Sequence, residues 1–203
     1  MTPTDRGSTR ERILETLAEI VAEGGLSDFS VQVVADRCGV SHRTVYRHFP
    51  TRESMLNGLV EQVSTAMAAR GGPDGIQDVD ELPGAVAVNF ALFSDLEPVT
   101  GAAVRFSVGT AIENRDRRHR TDAVAAAVER LDLPTDEARQ VAGVLRHLAS
   151  SRTWLLLRDA GLDAQEATGA AMWAVTELVA ALHDGRGPTS TDNPANRPRS
   201  TSR

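Results

Sequence analysis

Large apolar residues recur along this chain at intervals of three and four, and period-two runs of Val, Ile and Thr are short. Such a sequence can bury its apolar surface as amphipathic helices and hardly at all as strands, which predicts an all-α fold. The first helix opens on a capping box, Ser8 with Glu11. It carries Ile13, Leu14, Leu17, Ile20 and Val21 on one face before Gly24 and Gly25 stop it. Ser30 caps a short helix presenting Val31, Val34, Ala35 and Cys38, Gly39 breaks it, and Ser41 caps a second short helix ending near Phe49 and Pro50. Thr51 then caps a longer helix with Met55, Leu56, Leu59, Val60, Val63 and Met67 inside, fading at Gly71, Gly72 and Pro73.

Pro83 and Pro98 suit the first turns of two further helices, Pro83 to Leu96 and Pro98 to Asn114. The run Arg115 to Arg120 is too polar to pack and reads as a solvated loop, after which Thr121 caps a helix through Leu131. Two strong helices close the fold. Thr135 caps one running to about Arg158, and Asp163 with Glu166 forms a capping box for another ending near His183 and Gly185. About nine helices result. Residues 1–7 read as a flexible tail. From Asp184 to Arg203, Gly, Pro, Ser, Thr, Asn and Arg replace the large apolar residues, so 184–203 reads as a disordered tail.

The single cysteine, Cys38, excludes an internal disulfide framework, and no Cys/His spacing fits a structural metal site, so a reducing cytoplasm suits the chain and no metal or cofactor is expected. Cys38 itself reads as a small buried hydrophobe. The start of the chain is polar, and charges interrupt every hydrophobic stretch before it reaches membrane-spanning length. A net charge of -6 argues against a protein that coats DNA non-specifically. Locally the balance reverses: Arg37, His42, Arg43, Arg47, His48 and Arg52 fall in one stretch without an acidic residue, which suggests a compact contact with an anion.

That stretch does two jobs at interleaved positions. Val31, Val34, Ala35, Val40, Val45 and Phe49 can share a core with the first helix, and Gly39 permits the tight bend between two short helices. The face left free holds Ser41, His42, Arg43, Thr44, Tyr46, Arg47 and His48, all able to donate hydrogen bonds to phosphates and base edges. The helix N-termini at Ser30 and Ser41 add backbone N–H groups that favour an approaching phosphate.

The run VADRCGVSHRTVYRHFPTRESML resembles the DNA-binding domain of the TetR family. The resemblance implies that Thr44, Tyr46 and His48 contact the phosphate backbone, that Ser30 and Arg52 clamp phosphates at neighbouring helix ends, and that His42 and Arg43 reach base edges. Arg43 is the first choice for a bidentate contact to guanine. It also implies a domain organisation of a head over 8–51 and a helical effector-binding and dimerisation body over 52–183. The expected protein is a repressor that binds a pseudo-palindromic operator as a homodimer and is released by a small-molecule effector.

In the body, Val141, Val144, Leu145, Leu148, Leu155 and Leu156 offer one stripe, and Gly169, Ala170, Ala171, Trp173, Ala174, Leu178 and Leu182 offer another. By resemblance these two stripes pair with their copies in a homodimer. Asn89, Phe90, Phe93, Arg105, Phe106, His147 and Trp154 are candidates to line an effector pocket, and the apolar composition favours a lipophilic effector. No nucleophile with a base, carboxylate pair or metal cluster can be assembled, and His119 and His147 stand alone, so an enzyme is not expected. The alternative is a helical protein-interaction module with secondary DNA binding.

Overall fold

The computed structural model describes residues 8–24, 29–70, 76–109 and 123–190. Among these residues there are ten α-helices, one 3-10 turn and no strand, in agreement with the all-α reading. The helices are α1 (Thr9–Gly24), α2 (Val31–Cys38), α3 (His42–His48), α4 (Arg52–Ala69), α5 (Leu82–Asp95), α6 (Glu97–Gly109), α7 (residues 123–129), α8 (Thr135–Leu148), α9 (Ser151–Asp159) and α10 (Ala164–His183). The solvated loop expected over Arg115 to Arg120, the cap at Thr121 and residues 1–7 lie outside the described residues.

The helices form two compact sets. One holds the described parts of residues 1–70 and 92–113, the other those of 71–91 and 114–203, with the boundary inside α5. The first set is built on α1, whose Ile13, Leu14, Leu17, Ala18 and Val21 are buried. Ser8 and Glu11 do form the reciprocal cap, with Ser8 N–H donating to Glu11 at 2.6 Å and Glu11 N–H to Ser8 Oγ at 3.3 Å. Helix α6 packs on both α1 and α4, and its Thr100, Gly101, Ala102 and Ala103 are buried, small side chains of the kind that lets helix backbones draw close. This first set includes α4 and α6, which lie beyond the boundary at residue 51 expected for the head.

In the second set, α10 packs against α8 and α9 and buries Ala167, Ala171, Val175 and Val179. Asp163 and Glu166 cap it reciprocally at 2.8 Å each way. Trp154 of α9 is fully buried. The strand-free segment before α5 is tied in by Arg130, which donates to the carbonyl and side chain of Gln77, and by His183 Nε2 at 2.9 Å from Asp80 Oδ1.

The single helix expected from Thr135 to about Arg158 is broken. Ser150 sits in extended conformation (φ -92°, ψ 154°), its hydroxyl donating to the His147 carbonyl at 2.7 Å and accepting from Thr153 N–H at 3.3 Å. Thr153 also donates to the same His147 carbonyl at 2.6 Å. Serine and threonine hydroxyls here compete with the backbone for its own hydrogen bonds, which ends α8 and caps α9. This break is why ten helices stand where nine were expected. Thr135, moreover, is not the cap of α8: it lies inside the first turn, and Pro134 precedes it with no side-chain cap bond.

The chain also stays ordered past Asp184, contrary to the expectation for 184–190. Gly185 takes a left-handed conformation (φ 70°) and Thr189 is held by hydrogen bonds to Glu137. Polar composition leaves a segment without a core of its own, but here a buried carboxylate of another helix supplies the partner. Residues 191–203 lie outside the described residues.

Candidate nucleic-acid interface

Helices α2 and α3 are joined by Gly39, whose φ of 72° lies in the left-handed region that favours glycine. Its N–H and that of Val40 reach back to the carbonyls of Asp36 and Ala35 at 3.3 and 3.0 Å, closing α2 tightly enough for α3 to turn away at once. Ser30 and Ser41 act as N-caps, accepting from Val33 N–H at 3.2 Å and Thr44 N–H at 3.1 Å. The buried side of the pair consists of Val34, Ala35, Cys38, Val45 and Phe49. Cys38 is buried as a small apolar group, and its carbonyl accepts from Arg12 at 3.1 Å.

The other side of α3 is open. His42, Arg43, Tyr46 and Arg47 are exposed, Tyr46 by 53%, although a tyrosine on an amphipathic helix would ordinarily lay its ring on the core. Thr44 is half-buried, and its hydroxyl lies 2.8 Å from Ser41 Oγ, so these two groups hold each other at the helix entrance. His48 is placed less freely: its Nε2 is enclosed without a hydrogen-bond partner, and a phosphate contact from that atom requires the ring to turn. Arg52 stands 4.3 Å from the centroid of the Phe29 ring, which keeps its guanidinium at the start of α4.

Arg37 does not join this face. It makes a two-pronged ion pair with Glu23 of α1 at 2.6 and 2.5 Å and has Glu19 at 3.7 Å. The compact basic stretch of the sequence is therefore smaller in space, because acidic residues from α1 neutralise one end of it. The Arg37 hydrogen bonds hold the Glu23 carboxyl below its ordinary value of 4.5, and the same pairing raises the Arg37 guanidinium. A depressed carboxylate stabilises the fold above its unfolded-state value and loses that contribution as pH falls through its folded-state value. Glu23→Gln is expected to lower the urea midpoint at pH 7 and to match the parent protein once both are measured in acid below the depressed value. A difference that persists unchanged in acid would exclude the ion pair as its source.

Sequence reasoning missed the residues that hold the reader from behind. Arg10 pairs with Glu61 at 2.5 Å and stands 5.3 Å over the Phe49 ring. Gly58 of α4 admits Phe49 and Leu14 so closely that a methyl there would lie 2.8 Å from Phe49 Cε1 and 3.0 Å from Leu14 Cδ2. Except for Phe49 and Gly58, these partners are separated by tens of residues in the chain, and no local spacing marks them.

Two short helices at a glycine turn, with a capped and donor-rich outer face on the second, define a helix-turn-helix DNA-binding domain. Residues 13–59 match the family of bacterial regulatory proteins described as the tetR family. The match covers the helix-turn-helix head of this chain, and the all-helical fold as a whole is shared with TetR family regulators of known structure. It is 35% identical over 71 residues to the nucleoid occlusion factor SlmA of Vibrio atlanticus (strain LGP32), covering 34% of this chain and 36% of the relative. With the HTH-type transcriptional regulator UidR of Escherichia coli (strain K12) it shares 31% identity over 67 residues, 33% of this chain and 34% of the relative. These matches span about a third of the relatives' length. Across the fold, the TetR family regulator PfmR of Thermus thermophilus superimposes with a TM-score of 0.66 at 20% identity, over 85% of this chain and 96% of that one.

The remaining candidates divide between the two sets. In the second set, Phe90 and Trp154 are fully buried and Asn89 nearly so, whereas His147 is exposed. In the first, Phe93 and Phe106 are buried and Arg105 is exposed. Of the expected pairing residues, Val141 is already buried within its own chain, Leu148, Leu155, Ala170 and Ala174 are half-buried, and Val144, Trp173 and Leu178 are exposed. Among the described residues no group of His, Cys, Asp or Glu has the arrangement of a metal site, and no helix is long and apolar enough to cross a membrane.

Proposed function

We propose that the protein is a transcriptional repressor that binds a pseudo-palindromic operator as a homodimer and leaves it when a lipophilic small molecule binds. The observation that carries this reading is the outer face of α3, where His42, Arg43, Tyr46 and Arg47 stand exposed beyond a helix entrance fixed by Ser41. Arg43 and His42 read base edges, Tyr46 and Arg47 grip phosphates, and Ser30, Thr44 and Arg52 set the register on the backbone.

One such head makes too few contacts for selective binding, and two half-sites on one duplex demand two heads. Trp173 is 68% exposed on α10, and Val144, Leu156 and Leu178 are exposed on α8, α9 and α10, a quantity of apolar surface that supports pairing with a second copy. Phe90 and Trp154 supply the apolar interior that favours a lipophilic effector.

The test is a gel-shift titration with DNA upstream of the protein's own coding sequence, at two salt concentrations, beside sedimentation of the free protein. The expected result is a dimer and a sequence-selective complex whose log affinity falls linearly with log salt. A complex that forms equally on unrelated duplexes would instead favour the protein-interaction module with secondary DNA binding.

A further inference from the structure

Among the described residues, Glu137 is the one acidic side chain that is buried. It stands in the first turn of α8, where the helix dipole favours negative charge, but a carboxylate taken out of water also needs donors on its oxygens. Thr189 provides them, its N–H donating to Oε1 at 3.3 Å and its hydroxyl to Oε2 at 2.5 Å.

Everything between α10 and Thr189 is shaped for that contact. Left-handed Gly185 lets Arg186 N–H return to the Ala181 carbonyl at 2.8 Å, which reverses the chain after α10. Gly187 then passes so close to Glu137 that a methyl at its Cα would collide with Oε1, and Ser190 N–H closes the turn on the Gly187 carbonyl at 3.1 Å. Glu137 also heads a row on one face of α8 that continues through Val141, Val144 and Leu148 at helical spacing. Along that row Glu137 and Val141 are buried, Val144 is half-exposed and Leu148 is half-buried.

The geometry points to residues 185–190 as a strap that seats the first turn of α8 through Glu137 and so positions the row ending in Val144 and Leu148 for the second copy of the chain. The strap's role rests on the homodimer reading above. Glu137, Gly187 and Thr189 are positioning residues, since none of them belongs to the exposed apolar surface itself.

The test uses the full chain with Gly187→Ala, whose methyl displaces the Glu137 carboxylate from its place against the strap, and Thr189→Val, which keeps the shape and removes the hydroxyl donor. Gly84→Ala is the control, because nothing lies within 4 Å of a methyl there. Amide hydrogen exchange over residues 138–141 reports the seat, and sedimentation reports pairing. Both strap variants are expected to speed exchange in that segment about tenfold and to weaken self-association about tenfold, with the control changing neither. Unchanged exchange would overturn the strap, and faster exchange with unchanged association would overturn its positioning role. A parent protein that stays monomeric at every concentration removes the homodimer reading and the positioning role with it, while exchange still reports whether the seat exists.

Discussion

Phe49→Ala is expected to cost the folded head about 3–5 kcal/mol, the range for emptying a buried aromatic site. A domain of this kind has only about 5–15 kcal/mol in total, so operator binding should fail well below the parent's unfolding temperature. The magnitude follows from what converges on the ring. Phe49 is 2% exposed and closes α3 by donating its N–H to the Val45 carbonyl at 2.8 Å. Gly58 brings α4 onto one edge, Leu14 packs beside it from α1, and Arg10 covers a face while paired to Glu61. Removing the ring leaves a cavity bordered by three helices that other contacts hold in place, and such a cavity collapses poorly. Urea unfolding followed by circular dichroism measures the cost, and a loss under about 1 kcal/mol would show that the ring does not lock the head. Gly58→Ala probes the same junction from the other side. Alanine favours a helix by about 1 kcal/mol over glycine and overpacking costs about 1–3 kcal/mol, so the net change should fall between neutral and about 2 kcal/mol destabilising.

The same junction shows what was legible in the sequence. Periodicity and caps place α1, α2, α3 and α10 well, because each helix carries its own instructions: Ser8 with Glu11, Ser30, Gly39, Ser41, and Asp163 with Glu166 all act within four residues of their partners. The outer face of α3 was readable for the same reason, since a seven-residue helix with one apolar side leaves the rest outward. What local patterns do not carry is pairing at a distance. Arg37 looks like part of the basic face until Glu23 of α1 reaches it, and the enclosed Nε2 of His48 depends on packing rather than spacing. The break at Ser150 was in principle visible, since two adjacent serines interrupt the apolar stripe. Yet serine is tolerated inside helices often enough that only the observed bonds to His147 and Thr153 decide it.

Arg43→Ala should produce the largest functional change. A bidentate arginine contact to guanine discriminates by about 1–3 kcal/mol, and a homodimer loses one contact in each half-site, so the operator complex should weaken by about 2–6 kcal/mol, roughly thirty-fold to more than ten-thousand-fold. Arg43 stands on the exposed face immediately after His42, one residue before the Thr44 that Ser41 caps, and recognition helices contact base edges with their N-terminal residues. Arg47 lies one turn further along and gripping phosphate there carries no sequence information, so Arg47→Ala should weaken binding to all duplexes alike and lower the salt slope by about one per half-site. Tyr46→Ala should likewise weaken every site without altering preference. Titrating each variant against operators changed one base pair at a time separates the roles. The Arg43 variant should become indifferent at one symmetric position while keeping its preferences elsewhere, because a lost base contact removes information only where it was made. A uniform loss across all operator sequences would assign Arg43 to the backbone and move base reading to His42.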